Sequence, residues 1–306
     1  MCAPHIVQHV GDMLTAQRSF MARMDAAGAA GGAYAPDGTG GGAGTGGTGA
    51  ASGAGSTGAP GGTASQHGAG PVRSFSFRHV VDLTHPLSPD FPVFPAFEPM
   101  QVRATRTMER DGFFAQRWEV GEHTGTHMDA PAHFATGEHI RTIDQIPAEQ
   151  LVVPLAVIDV KDRADKDPDT VLTVDDILAY ERRHGRIPEG AALCMYTGWE
   201  TRAGSAQQFL NPDDSGVMHF PGLSPEAAAF LAAERNVAGV GVDTISLDFG
   251  PSTDFRAHFE ILSRHKWGLE CLARLADVPP AGAMLFVGAP KVAGGSGGPT
   301  RVLALW

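Results

Sequence analysis

Between Ala26 and Pro71 the chain carries 18 of its 39 glycines, no Lys or Arg, one acidic residue (Asp37) and one large apolar side chain (Tyr34). Such a segment cannot bury enough apolar surface to offset the entropy of ordering it. Residues 26–72 therefore read as a flexible, disordered Gly/Ala/Ser/Thr linker. The foldable chain is thereby confined to residues 73–306, which suffice for one substantial core, with residues 1–25 left as a tail.

Within that tail Met13 to Phe20 is similar to a degenerate twin-arginine export signal. Only Arg18 stands where an Arg pair is needed, and the run that follows is too rich in glycine for an apolar signal core. A plain tail on a cytoplasmic protein is the simpler reading, with export as the alternative. Acidic residues outnumber basic ones 34 to 23, the formal charge is −11, and no Lys/Arg run could track phosphates. Nucleic acid is accordingly not an expected partner. Cys2, Cys194 and Cys271 are too few and too far apart for a disulfide framework or a C-x-x-C site. No apolar stretch reaches the length of a membrane-spanning helix.

Short, β-branched or alternating runs predict strands over residues 74–84, 116–120, 151–160, 191–196, 237–242, 283–287 and 302–305. Five prolines make Pro86 to Pro99 a turn-rich loop carrying Phe91, Phe94 and Phe97. Two helices announce themselves by their caps: Thr173 with Asp176 three residues on, and Ser224-Pro225-Glu226 ahead of an Ala-rich run. The expected fold class is a single, compact, β-rich α/β domain, with too few helices for a doubly wound sheet or an eightfold barrel.

Chemistry concentrates in His123-Thr-Gly-Thr-His127-Met-Asp129-Ala-Pro-Ala-His133-Phe134. Gly125, Thr126 and Pro131 oppose a helix, so the segment is expected to be extended. All four chemical residues are odd-numbered, and in an extended chain they would share one face. Gly125 lies on that face and leaves room for an ion or a close ligand. Two imidazoles and a carboxylate with an open position resemble a catalytic zinc or manganese site, and the remaining His could act on bound water. Taken singly, each His is more often a surface or satisfied buried residue, and spacing alone leaves chance grouping open in a chain with 13 histidines. The pattern is not the H-E-x-x-H of zinc proteases, and no G-x-S-x-G elbow supports a serine triad. The Gly294-Gly-Ser-Gly-Gly298 loop lacks the ending of a phosphate loop and reads as a plain turn.

The same residues resemble the signature of the metal-dependent bacterial kynurenine formamidase and cyclase family, which also includes isatin hydrolases. The resemblance runs from Val81-Asp-Leu-Thr84 and Pro92-Val-Phe-Pro95, through His219-Phe-Pro-Gly222 and Gly241-Val-Asp-Thr244, to Gly288-Ala-Pro-Lys291. It implies a fold of the swivelling β/β/α kind, a homodimer or homotetramer, and one or two divalent ions, Zn²⁺ or Mn²⁺. It further implies that His123, His127 and Asp129 bind metal, that His258 and Glu270 complete the shell, and that His133 is the catalytic acid/base. On their own, His258 reads as a loop residue and Glu270 as a helix-surface charge. Phe94 stands where kynurenine formamidases place a Trp against the substrate. That smaller ring still supplies an apolar wall for a small aromatic amide. The activity implied first is an arylformamidase in tryptophan and kynurenine catabolism, with opening of a cyclic amide such as isatin as the alternative. From another class, a non-enzymatic scaffold or binding protein on the same fold stays open, since fold alone does not carry function.

Overall fold

The computed structural model describes residues 74–306 apart from Glu138. The expected tail, export signal and linker lie outside the described residues. Thirteen strands are formed: β1 (Val80–Asp82), β2 (Gln101–Arg106), β3 (Ala115–Glu119), β4 (His127–Asp129), β5 (Val152–Asp159), β6 (Val171–Leu172), β7 (Ala192–Tyr196), β8 (Gly222–Leu223), β9 (Gly239–Val242), β10 (Trp267–Glu270), β11 (Ala283–Gly288), β12 (Gly297–Pro299) and β13 (Arg301–Leu305). The α-helices are α1 (Met108–Asp111), α2 (Lys161–Ala164), α3 (Val174–His184), α4 (Ala206–Leu210), α5 (Pro225–Ala233) and α6 (Arg256–Leu262).

Nine strands form one sheet in the order β1-β13-β11-β5-β7-β9-β10-β4-β12. Its centre, β5-β7-β9-β10, is parallel, and the connections between these strands carry α3, α5 and α6. On either side the pairing is antiparallel. Register explains why the central strands read as continuous apolar runs. Ala156 pairs with Leu193, Leu193 with Val240, Ile158 with Met195 and Met195 with Val242, and all six pack with α3, α5 and α6 in one cluster. The alternate residues Leu155, Val157, Ala192 and Cys194 point to the other face. There they join Leu269, Leu285 and Val302 in a second cluster. Strands from both flanks of the sheet share that second cluster, so the sheet curls around it. With both faces covered, no alternation of apolar and polar residues survives in the centre.

The expected mixed, strand-rich α/β domain is what forms. Each expected strand exists, although within residues 74–84 the strand is only Val80–Asp82, with Thr84 bridged to Leu272 beyond it. Both capped helices begin where expected: the Thr173 hydroxyl accepts from Asp176 N and the Ser224 hydroxyl from Ala227 N. The strands β2, β6, β8, β10 and β12 and the helices α1, α2, α4 and α6 went unforeseen. Among the described residues no helix is long and apolar enough to cross a membrane.

Candidate metal centre

The His123–His133 segment is not extended throughout. Only His127–Asp129 is strand; Gly125 bends the chain with φ +66°, and Pro131–His133 is a turn of 3-10 helix. Parity along one straight face is therefore not what unites the four residues. The bend at Gly125 returns His123 towards the strand, and the proline-led turn returns His133. Gly125 is needed for its positive φ and because a Cβ there would meet the Leu87 side chain at 2.9 Å, rather than for room around an ion.

The strand β4 lies antiparallel to β10 with His127 opposite Glu270 and Asp129 opposite Gly268. Cross-strand partners are close neighbours, which places Glu270 Oε2 3.3 Å from His127 Nε2. A Cβ at Gly268 would stand 3.2 Å from Asp129 Oδ2, so a larger residue there would crowd the carboxylate. His258 enters from α6, its Nε2 2.9 Å from Glu270 Oε1 and 3.6 Å from Asp129 Oδ2. The readings of these two residues in isolation are both corrected: His258 is on a helix, and Glu270 is on a buried strand. His123 Nδ1 lies 2.7 Å from Asp129 Oδ1, and the His133 ring stacks on that of His123 with centroids 3.7 Å apart. Thus all six polar residues converge. Asp129 is fully buried, and His127, His258 and Glu270 are each no more than 5 % exposed.

Asp248 was not foreseen. Its Oδ2 lies 2.7 Å from His258 Nδ1 and accepts from His258 N, while its Oδ1 accepts from Ala257 N. The same carboxylate therefore caps α6 from upstream and orients the imidazole. His127 is held likewise, with Nδ1 2.9 Å from the Gly125 carbonyl oxygen. Both rings are thereby turned so that Nε2 faces the centre, as for metal-binding imidazoles held by an outer acceptor.

Two buried atoms at the point of convergence, His127 Nε2 and Asp129 Oδ2, have no hydrogen-bond partner. A buried polar atom without a partner is costly, and a cation between them would satisfy both. His127, Asp129 and Glu270 offer ligand atoms within 4.8 Å of one another, as do His123, Asp129 and His133. Asp129 belongs to both groups. The nitrogen and oxygen donors fit zinc or manganese, and the shared carboxylate fits one or two ions.

The electrostatics agree with this. Burial disfavours charge on His127, but the Asp129 and Glu270 carboxylates outweigh it and raise its pKa to about 10. Burial pushes Asp129 up, yet the surrounding imidazoles hold it well below the usual carboxylate range. For His133 burial dominates, and its pKa falls well below the ordinary value, leaving it neutral. The centre therefore stores negative charge that a proton or a metal ion must balance.

Above this cluster opens a cleft of about 620 Å³. Its walls include Phe94 and Phe97 from the proline-rich loop, Phe134, and Phe255. The Phe94 and Phe255 rings meet edge-on at 6.3 Å, and Phe97 stacks on His123 at 5.7 Å. Phe94 lies in the wall of this cleft. An apolar, aromatic-walled cleft with a polar floor suits a small flat ligand.

Residues 81–249 match the family model described as putative cyclase. The chain is 37 % identical over 241 residues to an isatin hydrolase from Roseibium aggregatum, an alignment covering 74 % of this chain and 91 % of the relative. It is 28 % identical over 226 residues to a kynurenine formamidase from Salinibacter ruber, covering 73 % and 96 %. The structure of isatin hydrolase A from Labrenzia aggregata bound to benzyl benzoate superposes with a TM-score of 0.70 at 38 % identity, covering 74 % and 93 %.

Proposed function

The chain belongs to the cyclase family, and from that premise we propose that it is a metal-dependent hydrolase of carbon–nitrogen bonds that opens a cyclic aryl amide such as isatin. The observation that carries the choice of substrate is the higher identity to an isatin hydrolase than to a kynurenine formamidase. This reverses the order implied by the signature alone, in which formamide hydrolysis came first. Release of formate from an N-formyl aryl amine is the second reading, because the same cluster and aromatic wall would accept either amide.

In the proposed site His123, His127, Asp129, His258 and Glu270 would hold one or two divalent ions. Bound there, zinc or manganese supplies a Lewis acid for the amide carbonyl and acidifies a water. Phe94 and its neighbours pack on the aryl ring and keep bulk water away, which strengthens every charge interaction at the floor. His133, neutral because it is buried, takes a proton from the attacking water at an imidazole nitrogen and delivers it to the leaving amide nitrogen. The water oxygen ends on the carbonyl carbon, the carbon–nitrogen bond breaks, and the ring opens to an amino aryl carboxylic acid. The same reading includes the expected swivelling β/β/α arrangement and a homodimer or homotetramer as further parts of the proposal.

A panel assay with metal-reconstituted protein, scoring ring-opened acid and formate together, tests the substrate. Isatin opening should exceed formate release from N-formylkynurenine by about tenfold or more, a difference one pocket can supply. A preference for the formamide would place the chain with the formamidases instead.

A further inference from the structure

The glycine-rich loop at residues 294–298 has no part in the chemistry described so far, yet its serine reaches the cluster. Ser296 Oγ donates to Glu122 Oε2 at 2.6 Å, and Ser296 N donates to the same oxygen at 3.1 Å. A hydroxyl has one proton to give. With that proton committed to Glu122, the Ser296 oxygen faces His123 Nε2 at 3.0 Å as an acceptor, so Nε2 is the nitrogen that carries hydrogen. As a metal ligand His123 would then offer its lone pair from Nδ1, which points at Asp129 Oδ1. Two acceptors 2.7 Å apart repel unless a cation lies against both.

The loop is shaped to make this contact. A Cβ at Gly295 would meet Glu122 Oε1 at 2.8 Å, and one at Gly297 would meet His123 Cε1 at 2.6 Å. Backbone bonds fix it: Ala130 N donates to Ser296 O and Ile143 N to Gly295 O, and Gly297 pairs with Asp129 across β12 and β4. We propose that Glu122 and Ser296 are a positioning pair that holds His123 as the Nε2–H tautomer, so that this ligand meets the metal through Nδ1 while His127 and His258 use Nε2. The inference rests on the metal centre argued above and adds to it the residues that orient its first His.

The test is long-range proton–nitrogen NMR of the zinc-loaded, histidine-labelled chain, with zinc affinity measured by chelator competition. Wild type should show His123 with hydrogen on Nε2 and zinc on Nδ1. Ser296→Ala removes the acceptor, and Glu122→Ala frees the hydroxyl to donate to Nε2. Each should mix or invert the tautomer and weaken zinc by about 10- to 100-fold, as loss of an outer partner does, with an unchanged circular dichroism spectrum. A purely structural role would leave the tautomer as in wild type. Zinc bound through Nε2 of wild-type His123, or both variants keeping the wild-type tautomer and affinity, overturns this inference alone. A wild-type chain that takes up no zinc overturns the metal-site reading and this inference with it.

Discussion

At the scale of single residues, the division of labour among the histidines rests on their surroundings. At His133 burial outweighs the nearby carboxylate, whereas at His127 and His258 the carboxylates outweigh burial, which suits His133 as the group that must accept and return a proton. His133→Ala should lower kcat by about 10²- to 10⁴-fold while metal content, read by plasma mass spectrometry, is unchanged. Unchanged turnover would remove that role. His127 behaves oppositely, and its pH dependence has a definite sign. Its pKa in the folded, metal-free chain is about 10 against 6.5 unfolded. It thus contributes stability that is fully present below pH 6.5 and lost as pH rises towards 10. The melting temperature of chelated protein should fall over that window, and metal uptake at pH 8 should release protons, seen as a buffer-dependent heat. A flat melting profile would show that His127 is not held charged.

At the scale of elements, the sequence exposed those that are built from local signals. The caps at Thr173 and Ser224 and the apolar runs of β5, β7 and β9 were legible because their causes lie within a few residues. The helix α6 was not, because its first residues are capped by Asp248 from outside any local window and it follows Phe255 at φ +50°. Nor was β10, a four-residue Trp-Gly-Leu-Glu with half its residues poor in strand propensity. His258 and Glu270 sit on these two elements, so only the family resemblance brought them forward. The hairpin of β2 and β3 raises a different question. Among the described residues it pairs with no other strand, and it exposes Phe114 at its tip by 59 % and Trp118 on β3 by 61 %. An isolated hairpin is marginal in water, and exposed aromatic clusters mark contact surfaces. Were the proposed homodimer or homotetramer to form, this exposed face is where a second copy would pack. Light scattering should give a dimer or tetramer for wild type and a smaller species for Trp118→Glu with Phe114→Glu. A monomeric wild type would refute it.

At the scale of the whole molecule, the curled sheet explains why so dispersed a set of residues can meet. The motif from 123 to 133 supplies one wall, α6 and β10 supply the other, and the loop before β12 closes the third side. Three of those contributions are joined by β4, which pairs with β10 on one edge and β12 on the other. The motif was legible as a cluster because its members are close in sequence. Ser296, 173 positions from His123, was read as part of a plain turn, since a glycine loop has no visible purpose until the fold sets it against its target. The substrate preference is the least local property of all, spread over the walls of the cleft. The most direct test of the account is to strip the protein with chelator, titrate Mn²⁺ or Zn²⁺ back, and follow isatin opening against bound metal. Activity should be absent without metal, rise in proportion to the first one or two ions bound, and not return in Asp129→Ala. Full activity in the chelated chain, or in Asp129→Ala, would contradict it.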